Sequence, residues 1–543
     1  MKWLPWHKST GHAEDSSSSK EKKGEEKMKR WIWQGDVYLK AVILLAMMAS
    51  IVSFAYFYSL DMIIAFGDGQ ARLMVARRVV DGLHTSLAQL GGVWLPIPQI
   101  LMVPFIWNDF LYQSGIAGAV VSMVSYVVAT VFLYKLIVSV TKDRVAGLIG
   151  VVAFSSPNIL YMQSVPMSEM PFIAFFVMSV YFLMRWVQDV EKLWFLFLTA
   201  LAVFLATLTR YEGWVLFWVV AGVMVYAFWK NHFSYAKAEG HFVFFAVLAL
   251  FGVGLWFLWN QVIFGDFLYF ARGEYAPSQL VERWRVSGRL PEQEAVGDLP
   301  RAFLMYGRTT LDNTGLLVGV LGAAGLTYYL FSRSTPLVQK TVTLLLIFPF
   351  VFYVLGVFEG SSILLLHPDF TDGRYLNLRF GTLMLPAAGF FVGFLLQRDK
   401  WVQWPALALI VIGTAVFTWQ EGIISLDEGI ANVSGAAAQV QRVTGEWLED
   451  RYDGGMVLMQ HFENESTIFY TGLSLNQFIY EGDQDTWAES LEDPIKHVHW
   501  VFMRGTFGGD KVWKALHDTP QLLDNYDLVY QNGDIEIYKR KAN

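Results

Sequence analysis

Residues 37–60 read VYLKAVILLAMMASIVSFAYFYSL, and residues 65–72 read AFGDGQAR. The first stretch holds a single charge, Lys40, and the second places Asp68 and Arg72 four residues apart directly after it. A run of about 20 apolar residues is long enough to cross the hydrocarbon of a bilayer as a helix. An ionisable group at the edge of that hydrocarbon is costly, and it marks a functional site. Further along, the loop carries Arg77, Arg78 and Asp81 and closes with Val93-Trp94-Leu95-Pro96-Ile97-Pro98. Between Gln70 and Leu83, the residues Leu73, Ala76, Val80 and Leu83 share one helical face, with Arg77 and Asp81 paired on the other. That pattern predicts an amphipathic helix lying in the membrane interface.

Of the 543 residues, 54% are hydrophobic, 16% aromatic and only 16% charged. Soluble domains carry about 25% charged residues, so this composition indicates a polytopic α-helical membrane protein. The formal net charge of -7 supplies no basic face, and nucleic acid is not expected as a partner. There is no cysteine, which excludes disulfides, a thiolate nucleophile and Cys-type zinc sites. No GxxxxGK[ST] or GxGxxG is present, so neither an ATP-driven pump nor a dinucleotide site is expected.

Apolar runs predict about 11 transmembrane helices, at roughly 37–60, 114–140, 145–163, 168–186, 193–209, 213–229, 242–262, 312–332, 341–358, 381–396 and 401–419. Basic turns fall on every second connection, among them Lys142-Asp143-Arg144, Lys230-Asn231-His232 and Arg398-Asp399-Lys400. By the positive-inside rule the N-terminus is then cytoplasmic and the C-terminus extracytoplasmic. The Ser- and Lys-rich segment 1–36 reads as a disordered cytoplasmic tail. The transmembrane domain spans 37–420, with long outer loops at 61–113, 263–311 and 359–380, and long loops on one face tend to carry function. Residues 421–543 mix polar and apolar positions and predict a small extracytoplasmic α/β domain. Its expected strands are Met456–Gln460, Gln477–Tyr480 and Val498–Met503, its helices Asp485–Glu492 and Asp510–His517, with a hairpin about Asn532-Gly533.

Four charged places lie on the outer side. Asp68 reads either as the N-cap of the loop helix or as a general base at the lipid–water boundary. Glu169, in Ser168-Glu169-Met170-Pro171, is either a first-turn acid favoured by the helix dipole or a second catalytic carboxylate. In Thr209-Arg210-Tyr211-Glu212-Gly213, either Arg210 and Glu212 form a self-neutralising local pair, or Arg210 contacts an anionic headgroup. In the last place, Arg374 of Gly373-Arg374-Tyr375-Leu376 suits a phosphate, because guanidinium binds phosphate bidentately. His367, Asp369 and Asp372 could be metal ligands, but three such residues in sequence define no coordination geometry.

In order and in shared outer position these elements resemble the GT-C glycosyltransferases, similar to the family 39 protein mannosyltransferases and the lipid A aminoarabinose transferases. The likeness covers roughly 37–396. It rests on Gly67-Asp68-Gly69 after the first span, Trp94-Leu95-Pro96-Ile97-Pro98-Gln99 closing the first loop, Ser168-Glu169 opening the fourth span, and the Thr209–Gly213 and Gly373–Leu376 elements. The family often has Asp-Glu at the first position, where Gly69 follows Asp68 here. No Trp-Trp-Asp-x-Gly occurs in the C-terminal segment, which disfavours an oligosaccharyltransferase.

The resemblance implies a membrane glycosyltransferase that moves a sugar from a polyprenyl-phosphate donor to an acceptor hydroxyl of a protein, lipid or glycan. It would invert the anomeric centre, with Asp68 as base and Glu169 as second carboxylate. Arg72, Arg77, Arg210, Glu212, Arg374 and Tyr375 would bind the lipid phosphate and sugar. No cofactor is required, although a divalent cation has room to assist, and membrane lipids are the other partners. The expected location is the plasma membrane of a prokaryote. The alternative is a lipid-linked sugar transporter or flippase, which would need charges near mid-membrane and inverted repeats.

Overall fold

The computed structural model describes residues 36–288, 290, 293–360, 363–397, 400–505 and 509–542. All of the expected tail 1–36 except Asp36, and the turn residues Arg398 and Asp399, lie outside these. Among the described residues, eight helices are long and apolar enough to cross a membrane, or nine if one bent pair counts as a single span. All eleven apolar runs form helix, but some are too short to cross alone. The expected span 145–163 is broken at Ser155 and Ser156 into Arg144–Phe154 and Pro157–Met162, because Ser156 caps a new helix whose first residue is Pro157. The expected span 193–209 is the 15-residue helix Leu193–Thr207. The expected span 312–332 begins instead at Leu316. Residues 312–314 end the preceding helix Leu299–Thr314, and the two meet at 113° on Gly315, whose φ of +77° suits glycine.

Small residues let helices of the bundle approach closely. A Cβ on Gly150 would lie 2.6 Å from the Gly389 carbonyl oxygen, and a Cβ on Gly389 would lie 2.6 Å from that of Gly150. One turn along, Gly393 faces the Ala146 carbonyl at 2.8 Å. Where lipid is as apolar as any side chain, such contacts between backbones hold helices together. The outward faces stay apolar: Leu44, Leu45, Met48, Ile51 and Val52 of the first span are exposed. On the last span, Lys400–Glu421, Trp401 and Trp404 are exposed at one end and Trp419 at the other. At 1.5 Å per residue these ends are ~27 Å apart, close to the thickness of the hydrocarbon layer. Tryptophan favours both boundaries of that layer.

Beyond the last span, helices Ile424–Ser434 and Ala436–Arg451 lead to a five-stranded sheet. Its strands are β1 Met456–Leu458, β2 Phe478–Ile479, β3 Val498–Arg504, β4 Tyr526–Asn532 and β5 Ile535–Arg540, in the order β2-β1-β3-β5-β4. β1 is parallel to β2 and β3, while β5 is antiparallel to β3 and β4. The hairpin turns at Gly533, whose φ is +60°.

The loop helix runs from Gly67 to Arg78 rather than over the expected 70–83, so Val80 and Leu83 lie beyond it, and both its faces are covered. Leu73 and Ala76 pack on Met102, Ile106, Ala117 and Val121 of the bundle. Met74 joins the core under the sheet with Leu448, Val457 and Phe502. Ser466 donates to Gln70 at 2.6 Å and Ser474 to Asp81 at 2.6 Å. The helix is thus a layer between membrane bundle and sheet.

Candidate active site

Asp68 lies in the first turn of the loop helix rather than at its cap, which is Phe66. Its side chain is 49% exposed, and Oδ2 accepts a 2.7 Å hydrogen bond from Arg379 Nη2. Arg379 sits in the tight turn Leu378–Met384 that opens the tenth apolar run. It is buried and fully engaged: Nε donates to Glu169 at 3.3 Å and Nη1 to Glu428. Its guanidinium also stacks 5.0 Å from the ring of Phe66, the residue that starts the loop helix.

Glu169 is 1% exposed at the head of the helix Glu169–Gln188. Its Oε1 is shared by Arg379 and by Arg210 Nη1 at 3.0 Å, and its Oε2 has no partner. Arg210 also donates to Glu212 at 2.9 and 2.7 Å, to Ser168 at 3.0 Å and to Tyr353 at 3.2 Å. Tyr353 in turn donates to Glu212. The local Arg210–Glu212 pair read from sequence is therefore present, but it belongs to a larger network.

Arg72 follows Asp68 by one helical turn and is 8% exposed. Among the described residues it forms no ion pair, and its Nε has no partner. Its guanidinium stacks 4.4 Å from the ring of Trp94, the aromatic that closes the first outer loop. With the Gln99 amide turned about, that side chain accepts from Arg72 at 3.3 Å. Burial pushes the Arg72 guanidinium down to about 10, partly offset by the nearby carboxylates Glu169 and Asp68. It remains charged at neutral pH. Arg210 and Arg379 are taken up by carboxylates, whereas Arg72 is paired with no carboxylate among the described residues.

Other sequence candidates lie elsewhere. Arg77 binds Asp81 at 2.9 Å, as the spacing predicts, and also Asp109 at 2.6 Å and the Ile106 carbonyl at 2.7 Å. It ties the loop helix to the segment after Ile97–Ile106. Arg374 is exposed and Tyr375 half-buried on the outer turn, where Asp372 and Gly373 have positive φ. His367 is buried. Its Nε2 faces Asp312 at 2.8 Å and its Nδ1 accepts from the Asp369 amide at 3.1 Å, so both ring nitrogens are engaged. Asp369 pairs with Arg308 and Asp372 is exposed. Among the described residues no three His, Asp or Glu side chains are placed to hold a metal ion.

Sequence reasoning missed Arg379, Glu428 and Tyr353. Arg379 could have been found as a lone cation at the mouth of an apolar run. Glu428 and Tyr353 carry no local signal. Beside the loop helix lies a cavity of about 150 Å³, lined by Gly67, Gln70, Asn432, Gln441, Ser466 and Tyr470 among others.

No protein-family model and no curated protein sequence matches the chain. Among solved structures, ArnT from Cupriavidus metallidurans bound to undecaprenyl phosphate aligns with a TM-score of 0.55, over 90% of this chain and 97% of that one, at 12% identity. The apo form of the same protein gives 0.53 over 90% and 97%, again at 12% identity. The apo oligosaccharyltransferase of Archaeoglobus fulgidus gives 0.49 over 87% and 70%, at 10% identity. The chain shares its fold with ArnT and is a multi-pass helical membrane protein with a small C-terminal sheet.

Proposed function

We propose that the chain transfers a sugar from a polyprenyl-phosphate donor to an acceptor hydroxyl, with Asp68 as general base and Arg72 as a ligand of the donor phosphate. The observation that carries this reading is a half-exposed carboxylate and, one turn on along the same helix, a buried arginine that forms no ion pair among the described residues. A similarly folded protein, ArnT, has been seen bound to undecaprenyl phosphate, which supports a lipid phosphate as the ligand. The charged network lies at one end of the bundle rather than at mid-membrane, as a transferase requires and a transport site does not.

Asp68 accepts the proton of the acceptor hydroxyl as its oxygen attacks the anomeric carbon. The bond from that carbon to the phosphate oxygen breaks through an oxocarbenium-like state, and one displacement inverts the centre. The leaving polyprenyl phosphate gains negative charge, which Arg72 stabilises in a partly dry site. Glu169, buried between Arg210 and Arg379, is the second carboxylate of the site and holds both guanidiniums in place. Arg210, Glu212 and Arg379 set the electrostatic frame. The N-terminus is cytoplasmic, the site and the unit 421–543 are extracytoplasmic, and the membrane is a prokaryotic plasma membrane.

The test is sugar release from polyprenyl-phosphate sugars by wild type and Asp68→Asn in nanodiscs, with undecaprenyl phosphate binding measured beside it. Turnover should fall about 10²- to 10⁴-fold while binding is kept. Equal turnover in the two proteins removes Asp68 from the chemistry. Binding without turnover across a donor panel removes the transferase reading.

A further inference from the structure

We infer that Glu428, which lies beyond the last span, is a positioning residue for the site and acts through Arg379 on Asp68. The inference rests on the proposed function for its catalytic consequence but not for its geometry.

Glu428 is fully buried. One carboxylate group performs three tasks. Its Oε1 accepts from the Asn377 amide at 2.8 Å, its Oε2 accepts from the Arg379 amide at 3.0 Å, and Arg379 Nη1 donates to Oε1. The turn that starts at Asn377 has no side-chain cap of its own, and Asn377 is in the left-handed region at φ +59°. A residue 49 positions downstream therefore does the work of the cap and also fixes the guanidinium. What remains of Arg379 is Nε toward Glu169 and Nη2 toward Asp68. The carboxylate read as the base is thus held by an arginine whose backbone and side chain are both anchored by Glu428.

The helix that carries Glu428 is itself pinned to the bundle. Ser425 bonds Asn158 through its amide at 3.0 Å and its hydroxyl at 2.9 Å. Gly429 packs so close to the Tyr161 hydroxyl that a Cβ would come within 2.5 Å. Helix Ile424–Ser434 then continues into Ala436–Arg451, whose Leu448 enters the core under the sheet. The site is therefore completed by the segment that joins the last span to the sheet, and the seating of that segment sets where Asp68 points.

The full-length protein in nanodiscs is compared as wild type, Glu428→Gln, Glu428→Asp, Arg379→Lys and the Glu428→Gln/Arg379→Lys double variant, with thermal unfolding to monitor the fold. The first readout is the rate at which a water-soluble carbodiimide labels Asp68, followed by mass spectrometry. It reports geometry alone and needs no substrate. Glu428→Gln should change that rate in the same direction as Arg379→Lys, the double variant should add little, and Glu428→Asp should lie nearer wild type. A wild-type rate in folded Glu428→Gln, or additive effects in the double variant, overturns the inference.

The second readout separates the two claims. With a polyprenyl-phosphate sugar that wild type turns over, Glu428→Gln should lose about tenfold or more in turnover. Undecaprenyl phosphate affinity should stay within about threefold, because Arg72 is untouched. Loss of both in equal measure assigns Glu428 to general stability and overturns the inference. If wild type turns over no donor, the proposed function fails, and the labelling result still decides the role of Glu428.

Discussion

Replacing Arg72 by methionine should make the resting protein more stable and weaken its hold on a lipid phosphate. Arg72 is buried, forms no ion pair among the described residues, and leaves Nε unpartnered. Its guanidinium is pushed down to about 10 by burial, more than two pH units below an ordinary arginine. At 1.36 kcal/mol per unit, holding that charge costs roughly 3 kcal/mol. Methionine fills much of the same volume without the charge, but it forfeits the stacking on Trp94, worth ~1 kcal/mol. The net expectation is a gain of roughly 1–2 kcal/mol, read as a rise in the unfolding temperature in detergent. A charge-assisted bond to phosphate is worth ~1.5–3 kcal/mol, so undecaprenyl phosphate should bind roughly 10- to 100-fold more weakly. Arg72→Lys should recover only part of this, having lost the planar fork. A variant that unfolds earlier and binds undecaprenyl phosphate as wild type does would refute the reasoning, because Arg72 would then be a structural residue.

Two further predictions concern the frame. Gly389→Ala places a methyl against the Gly150 carbonyl and must push two helices apart, at a cost of ~1–3 kcal/mol, checked by denaturation in detergent. Glu465, in the first turn of a helix against the sheet, is raised to about 7 by burial, against hydrogen bonds from backbone amides that lower it. A carboxyl whose folded value lies above its unfolded value costs stability as pH rises from about 4.5 to about 7, and the cost is complete above that. Glu465→Gln should therefore raise the unfolding temperature at pH 8, by the equivalent of roughly 1–3 kcal/mol, and change it little at pH 4.5. An equal effect at both pH values would remove Glu465 from the titration.

The membrane class and the C-terminal sheet were legible because both rest on local pattern. Apolar runs, basic turns and the alternation about Asn532-Gly533 need no long-range information. Helix lengths were less legible, since a Ser-Ser-Pro break or a corner at Gly315 interrupts an apolar run without changing its hydropathy. Within the site, Asp68, Glu169, Arg210 and Glu212 stand out as charges beside apolar runs, and the structure brings them together. Arg374, read as a phosphate ligand, is exposed on its turn, while Arg379, five residues on and past the positive-φ residues Asp372, Gly373 and Asn377, is the cation buried in the network. Glu428 lies in a segment rich in acids, where nothing local distinguishes it. Its meaning comes from contacts with Asn377 and Arg379, about 50 residues away in sequence.

The tryptophans of the last span fix the level of the membrane against the site. Trp419 marks the boundary, and Glu428 stands only nine residues further along the chain. A donor whose tail stays among the lipids can present its headgroup there without leaving the bilayer. On the proposed reading, the search for substrate is two-dimensional. The rate should then follow the donor's mole fraction in the membrane rather than its concentration in the tube, so adding empty lipid to the same vesicles would slow the enzyme at constant total donor.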